Sequence, residues 1–222
     1  MHDPFEAAIF DFGGVLTTPI RASFELYEQE AGLPEGSLLK AFLHAEDGEE
    51  PHYHALERGE IPERDFFTRM IEQIEAMTGI AFEQSEDPSE FRRRMFARLE
   101  PNTAMLDAAR RIGGRYRTAI LSNNVREWTE WRAMVAPGAF HLIIDSCEVG
   151  TRKPEPEIYH LTCRRLGVEP SKAVFVDDIP WNVEAAEKIG LTAIRFTETE
   201  EVLAALATYF PRAFEPEGAV DA

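Results

Sequence analysis

Five short apolar runs rich in β-branched residues constrain this chain more than any other feature: AAIFD (7–11), TAILS (118–122), HLIID (141–145), AVFVD (173–177) and TAIRF (192–196). Each has the length of a strand and is apolar almost throughout, the pattern of strands buried on both faces of a parallel sheet. Between the last four lie segments of helical character, such as PEPEIYHLTCRRLG and PWNVEAAEKIG, each ending at a glycine suited to close a helix. Strands alternating with crossover helices imply an α/β fold, a doubly wound and mainly parallel sheet of five or more strands.

The first and second runs are separated by about a hundred residues without a convincing strand, far more than one crossover helix needs. Within that stretch Phe66, Phe67, Met70, Ile71, Ile74 and Met77 recur every three to four positions. SFELYEQEAG, GSLLKAFLHA and SEFRRRMFARLE also have helical patterns, so four or five helices are expected between residues 20 and 100. The helix NTAMLDAARRIGG then returns the chain to the sheet, stopped by Gly113 and Gly114. A length of 222 residues suits one core with an insertion: residues 1–17 and 101–215 as the α/β core, 18–100 as a helical unit and 216–222 as a disordered tail.

Forty acidic and 23 basic residues give a net charge of −17, which repels nucleic acid and anionic membrane. The only dense basic run, RRR at 92–94, is brief and set among apolar residues at helical spacing. No stretch has membrane-spanning length, and the start MHDPFEAA lacks a basic region followed by an apolar one, so a cytoplasmic location is expected. Cys147 and Cys163 are expected to stay reduced, since a chain of this size needs no stapling. The same negative charge means that any anion-binding site must be built locally, from a metal or a buried lysine.

Ligands of open parallel sheets collect beyond the carboxyl ends of the strands. Asp11, the run Ser122-Asn123-Asn124 and the pair Asp177-Asp178 all fall there, and Lys153 lies just past the third strand, before a helix with Pro154 and Pro156 in its first turn. Three neighbouring bare carboxylates would raise one another's pKa, a cost that a divalent cation removes. An all-oxygen set suits magnesium. The Ser122 hydroxyl and the amides after it can cradle phosphate oxygens, while Lys153 can neutralise charge on phosphate and on Asp11. Such a set suits phosphoryl transfer to a carboxylate.

FDFGGVL, LSNN, RKPEPEIY and VFVDDIPWNVEAAEKIGL together resemble, in order, the four motifs of the haloacid dehalogenase superfamily of hydrolases. The resemblance covers nearly the whole chain and implies a Rossmann-like core with a helical cap of the first structural class inserted after the first motif. It implies that Asp11 is the nucleophile that becomes an aspartyl phosphate and that Asp11, the Gly13 carbonyl, Asp178 and Asp177 hold Mg2+. Ser122 and the Asn123 amide would then bind the phosphate, Lys153 would bridge phosphate and Asp11, and Asn182 would support the carboxylates from the next helix. The pattern D-F-G-G-V is also similar to a branch containing the N-terminal phosphatase domain of soluble epoxide hydrolases and enzymes acting on anomeric sugar phosphates.

One position departs from the pattern. Phosphatases of the superfamily usually carry a second aspartate two places after the nucleophile, to protonate the leaving alcohol and activate water; here it is Gly13. Three functions follow from the resemblance: a magnesium-dependent phosphatase of small phosphomonoesters, a metal-independent haloacid dehalogenase, and a non-catalytic relative. Retention of Asp177 and Asp178 favours the first, because dehalogenases typically replace those carboxylates. His52, Tyr53, His54 and Arg58 are either substrate-facing or surface groups paired with nearby glutamates. Trp128 and Trp131 are expected to pack a helix onto the core or onto a second copy, which leaves a homodimer open, and Trp181 stands next to the carboxylate pair.

Overall fold

The computed structural model describes residues 4–45, 49–81, 87–135 and 138–215; the expected tail at 216–222 lies outside the described residues. Five strands, β1 (Ala7–Phe10), β2 (Arg117–Ser122), β3 (Leu142–Asp145), β4 (Ala173–Asp177) and β5 (Thr192–Arg195), form one sheet in the order β3-β2-β1-β4-β5. Every pairing is parallel. Helices α1 (Ile20–Ala31), α2 (Ser37–Phe42), α3 (His52–Glu57), α4 (Glu63–Thr78) and α5 (Pro88–Met95) intervene between β1 and α6 (Thr103–Gly113). After β3 come α7 (Ser146–Val149), α8 (Pro156–Leu166), α9 (Pro180–Lys188), α10 (Thr199–Tyr209) and α11 (Pro211–Phe214).

The strand alternation divides the core between two layers. Ala8, Phe10, Ile120, Val174 and Val176 pack with Met105, Ala109 and Ile112 of α6 and with Val202 and Leu206 of α10. Ala7, Ile9, Ala119, Leu121, Ala173 and Phe175 face the other way, onto Ile158, Tyr159, Cys163 and Leu166 of α8 and Ala186 of α9. Removing each large apolar side chain from water contributes about 1.5–3 kcal/mol before chain entropy is counted. β1, β2 and β4 are buried almost throughout, whereas β5 is only partly covered because it lies at the sheet edge. Cys147 and Cys163 are free and buried.

Helices α1, α2, α4 and α5 carry a third apolar cluster, built on Phe24, Tyr27, Leu38, Phe66, Phe67, Met70, Ile74, Phe91 and Met95. The chain enters and leaves this region side by side: the Thr18 amide donates to Glu100 O and the Asn102 amide to Leu16 O, both at 2.8 Å. The segment VREWTEWRAM differs from its expected helix, forming only a 3₁₀ turn over Glu130–Met134. Its tryptophans therefore diverge, Trp131 packing 4.5 Å from Phe12 in the sheet core and Trp128 4.2 Å from Phe96 among the inserted helices. Among the described residues no helix is long and apolar enough to cross a membrane.

Candidate active site

β1 and β4 are neighbours, yet the chain leaves β1 toward β2 on one side and leaves β4 toward β5 on the other. Loops diverge at such a switch point and open a crevice at the carboxyl ends. Asp11 follows β1 there, its amide bonded to Val176 O at 2.8 Å, and Asp177 ends β4. The next turn depends on glycine: Gly14 has φ +82°, and a Cβ on it would lie 2.5 Å from an Asp178 carboxylate oxygen. Gly13 has no such backbone requirement, and a Cβ there would lie 2.8 Å from Ile20 Cδ1.

Lys153, 1% exposed, joins the two strand ends, with Nζ 2.6 Å from Asp11 Oδ1 and 2.7 Å from Asp177 Oδ2. The Asn123 side chain holds the lysine backbone from both sides, accepting from its amide at 2.8 Å and donating to its carbonyl at 2.9 Å. Asp177 Oδ1 accepts from the Ile179 amide at 2.8 Å and from Asn182 Nδ2 at 3.1 Å. Asn182 sits in the first turn of α9, and its carbonyl accepts from the Tyr159 hydroxyl at 2.9 Å. Ser122 closes β2 beside Asp11 and is 7% exposed.

Carboxylate oxygens of Asp11, Asp177 and Asp178 lie within 4.8 Å of one another. Burial pushes the Asp11 carboxyl up to about 8; Lys153 opposes the rise, and Asp177 and Asp178 add to it. Burial, reinforced by Asp177, also pushes Asp178 up to about 6. Burial disfavours the Lys153 ammonium, but Asp11 and Asp177 outweigh it and hold its proton more tightly than usual. One lysine cannot balance three carboxylates where two charges about 4 Å apart interact by about 4 kcal/mol at an effective dielectric near 20. Asp178 Oδ1 is buried without a hydrogen-bond partner. An unsatisfied oxygen beside two further carboxylates fits a small divalent cation, with Asp11, Asp177 and Asp178 as the side-chain donors.

A second layer escaped the sequence reading. Glu57, at the end of α3, lies 2.6 Å from Arg152 Nε and 3.3 Å from Asn123 Nδ2, and Arg152 stacks over the Tyr53 ring at 5.3 Å. The Ser146 hydroxyl donates to Glu57 O at 2.5 Å and accepts from the Asn124 amide at 2.9 Å. The inserted α3 is thus bonded to the asparagine that holds Lys153. Adjacency to Lys153 was the one sequence signal for Arg152; Glu57 sits in the stretch of His52, Tyr53, His54 and Arg58, whose sequence reading left substrate-facing and surface roles open.

His52 contacts Arg69 at 3.0 Å on the surface, and Arg58 pairs with Glu50, Glu60 and Glu155 at 2.8–3.2 Å, matching the glutamate-paired reading. Burial lowers His54 to about 4. Trp181 is 56% exposed one turn beyond Asp178. A cavity of about 800 Å³ lies elsewhere, lined by Gly113, Arg115, Arg117, His141 and Lys172 beside the amino ends of the strands. It holds none of the three carboxylates.

Comparisons with known proteins agree with this geometry. A family model for haloacid dehalogenase-like hydrolases matches residues 5–190. Bifunctional epoxide hydrolase 2 of Rattus norvegicus is 30% identical over 93% of this chain and 40% of its own length. The chain spans two fifths or less of the first curated relatives it matches. A sesquiterpene phosphatase of Aspergillus oryzae is 28% identical, with 90% of this chain and 93% of the relative covered. A HAD family enzyme of Bacteroides thetaiotaomicron, crystallised with magnesium and inorganic phosphate, superposes with a TM-score of 0.65 at 20% identity over 87% of this chain and 94% of its own. An L-2-haloacid dehalogenase does so with a TM-score of 0.60 at 22% identity over 98% and 90%. A parallel sheet with its carboxylates at the switch point, and a family model spanning most of the chain, identify this protein as a member of the haloacid dehalogenase-like hydrolases.

Proposed function

We propose that the chain is a magnesium-dependent phosphatase of small phosphomonoesters, working through an aspartyl phosphate on Asp11. The observation that carries this reading is the convergence of Asp11, Asp177 and Asp178 around an unsatisfied Asp178 oxygen, with Lys153 between two of them. Asp11, Asp177, Asp178 and the Gly13 carbonyl would hold the ion. When bound, magnesium supplies charge that keeps Asp11 ionised beside its neighbours and draws an anionic phosphate to an acidic protein.

The chain's own residues do the rest. Asp11 presents a carboxylate oxygen to phosphorus, and Lys153 offsets charge on that carboxylate and on the incoming phosphate. Ser122 and the Asn123 amide orient the phosphate oxygens, and Asn182 with the Ile179 amide holds the Asp177 carboxylate in place. Residues 18–100 act as a cap, entering and leaving through the paired Leu16–Thr18 and Glu100–Asn102 segments and docked by Glu57 on Arg152 and Asn123. A cap of this kind limits access to small substrates. The sesquiterpene phosphatase among the relatives supports phosphate as the reacting group.

Gly13 favours a second reading, a haloacid dehalogenase, since a departing halide needs no proton. Displacement at carbon, however, leaves the carboxylates of Asp177 and Asp178 beside Asp11 without a task. One experiment separates the readings: phosphate release from an aryl phosphate and halide release from a short chloroacid, each with magnesium or chelator, for wild type and Asp11→Asn. Magnesium-dependent phosphate release lost in the variant is expected. Halide release that survives chelation would replace the phosphatase reading, and silence in both assays would support a non-catalytic relative.

A further inference from the structure

Transfer of a phosphoryl group to Asp11 leaves an electron pair on the oxygen of the departing group, and Gly13 has no side chain to give it a proton. The charged groups that act most on Asp11 are Lys153, Asp177 and Asp178. Lys153 is committed to two carboxylates, and the carboxylates themselves are the cation's donors. Glu57, an acid of the inserted helices that reaches Asn123, is tied to Arg152 at 2.6 Å. The three charged groups that act most on Asp11 are thus already engaged.

The space beside the loop is taken by an apolar side chain instead. Gly13 is not among the glycines with positive φ, so the backbone does not demand glycine there; what the residue contributes is a missing side chain. Ile20, the first residue of α1, occupies that position with Cδ1 2.8 Å and Cγ1 3.4 Å from where a Cβ on residue 13 would stand. Ile20 is also 37% exposed, one of few large apolar side chains left open to water. A methyl group, which can neither give nor take a proton, therefore borders the nucleophile loop.

We infer that this site selects phosphate monoesters of acidic hydroxyl groups, aryl and enol phosphates, over those of ordinary alcohols, and that Ile20 over Gly13 enforces the choice. The inference rests on the phosphatase reading above. Asp11 forms its bond to phosphorus while the phosphorus–oxygen bond of the substrate breaks. The departing oxygen keeps the electron pair as a phenolate or enolate and takes its proton from bulk water. Water then attacks phosphorus, the aspartyl bond breaks, and its proton leaves with inorganic phosphate. A phenol near pKa 10 departs in this way far more readily than an alkanol near the value of water, about 15.7. Positioned acid catalysis is worth about 10²–10⁴-fold, and that is the discrimination it would otherwise erase.

The test is kcat/KM with magnesium for phenyl phosphates of graded leaving-group acidity and for glycerol phosphate, in wild type, Gly13→Asp, Ile20→Ala and the double variant. In wild type the rate is expected to fall steeply as the leaving group becomes less acidic, with glycerol phosphate at least about 10²-fold below the most reactive aryl ester. Gly13→Asp combined with Ile20→Ala is expected to flatten the dependence and to raise the rate on glycerol phosphate more than Gly13→Asp alone, because the new carboxyl no longer meets Ile20. A flat dependence in wild type, with glycerol phosphate hydrolysed as fast as aryl esters, overturns the inference while leaving the phosphatase reading intact. Absence of magnesium-dependent phosphate release from every member of the series overturns both.

Discussion

Gly13 and Gly14 are adjacent glycines with unrelated reasons for being glycine. Gly14 carries a left-handed backbone and stands where a methyl would strike the Asp178 carboxylate, whereas Gly13 has an ordinary backbone and leaves a space that Ile20 fills. At the same scale Lys153 is the single buried cation between two buried carboxylates. Replacing it by methionine keeps the volume and removes the charge. Breaking a buried pair by deleting one partner typically costs about 3–5 kcal/mol. Lys153→Met is expected to lose about that much stability in urea unfolding without divalent cation at neutral pH, to recover part of it in millimolar magnesium, and to lose phosphate release. Unchanged unfolding would show that Asp11 and Asp177 are compensated by something else.

At the scale of elements, the contact that matters is α3 on the sheet. Gly59, just past α3, has φ +71°, and a Cβ there would lie 2.6 Å from Cys147 O, so the inserted chain approaches the core closely at this point. His54 in the same helix is kept neutral by burial, with Arg152 adding to the effect and Glu50 opposing it. Its folded pKa, about 4, lies below its ordinary value of 6.5, so between those values the unfolded chain binds a proton that the folded chain refuses. Stability from this group is complete above pH 6.5 and is lost as pH falls toward 4. Replacing His54 by glutamine is therefore expected to flatten the thermal midpoint between about pH 6.5 and 4. An identical pH profile in the variant would remove His54 from the account. The buried Arg92, first of the RRR run, serves a parallel purpose by pairing with Glu63 at 2.9 Å beneath Trp128, so part of that run is internal rather than a surface for anions.

Over the whole molecule a charge of −17 surrounds a site that on the phosphatase reading accepts an anion, and the carboxylates at its centre carry the opposite pH dependence from His54. Asp11 and Asp178, raised from 3.8 to about 8 and about 6, bind protons in the folded chain that the unfolded chain has already lost. Without a cation their contribution to stability falls as pH rises through that range. On the magnesium reading a divalent cation would take the place of those protons. Magnesium at a hundred times its dissociation constant stabilises by about 2.7 kcal/mol, and the rise in thermal midpoint is expected to be larger at pH 8 than at pH 5. Equal shifts at the two pH values would place the ion away from Asp11 and Asp178.

Most of the fold was legible because it is written locally. The five strands appear within a residue or so of their apolar runs, and the helices between β1 and β2 follow their spacing of three to four, since both patterns report which face of an element must leave water. The 3₁₀ turn around Trp131 was not legible, because Trp128 and Trp131 are drawn into different clusters that the sequence does not distinguish. By itself the sequence determined the sheet, its insertion, and the carboxylates and serine at the strand ends, since periodicity and strand ends are properties of neighbouring residues. Only the tertiary structure decided that Glu57 meets Arg152 and Asn123 across 66 to 95 positions, and that Ile20 fills the space over Gly13. Such contacts depend on how separate elements dock, a geometry that no local pattern encodes.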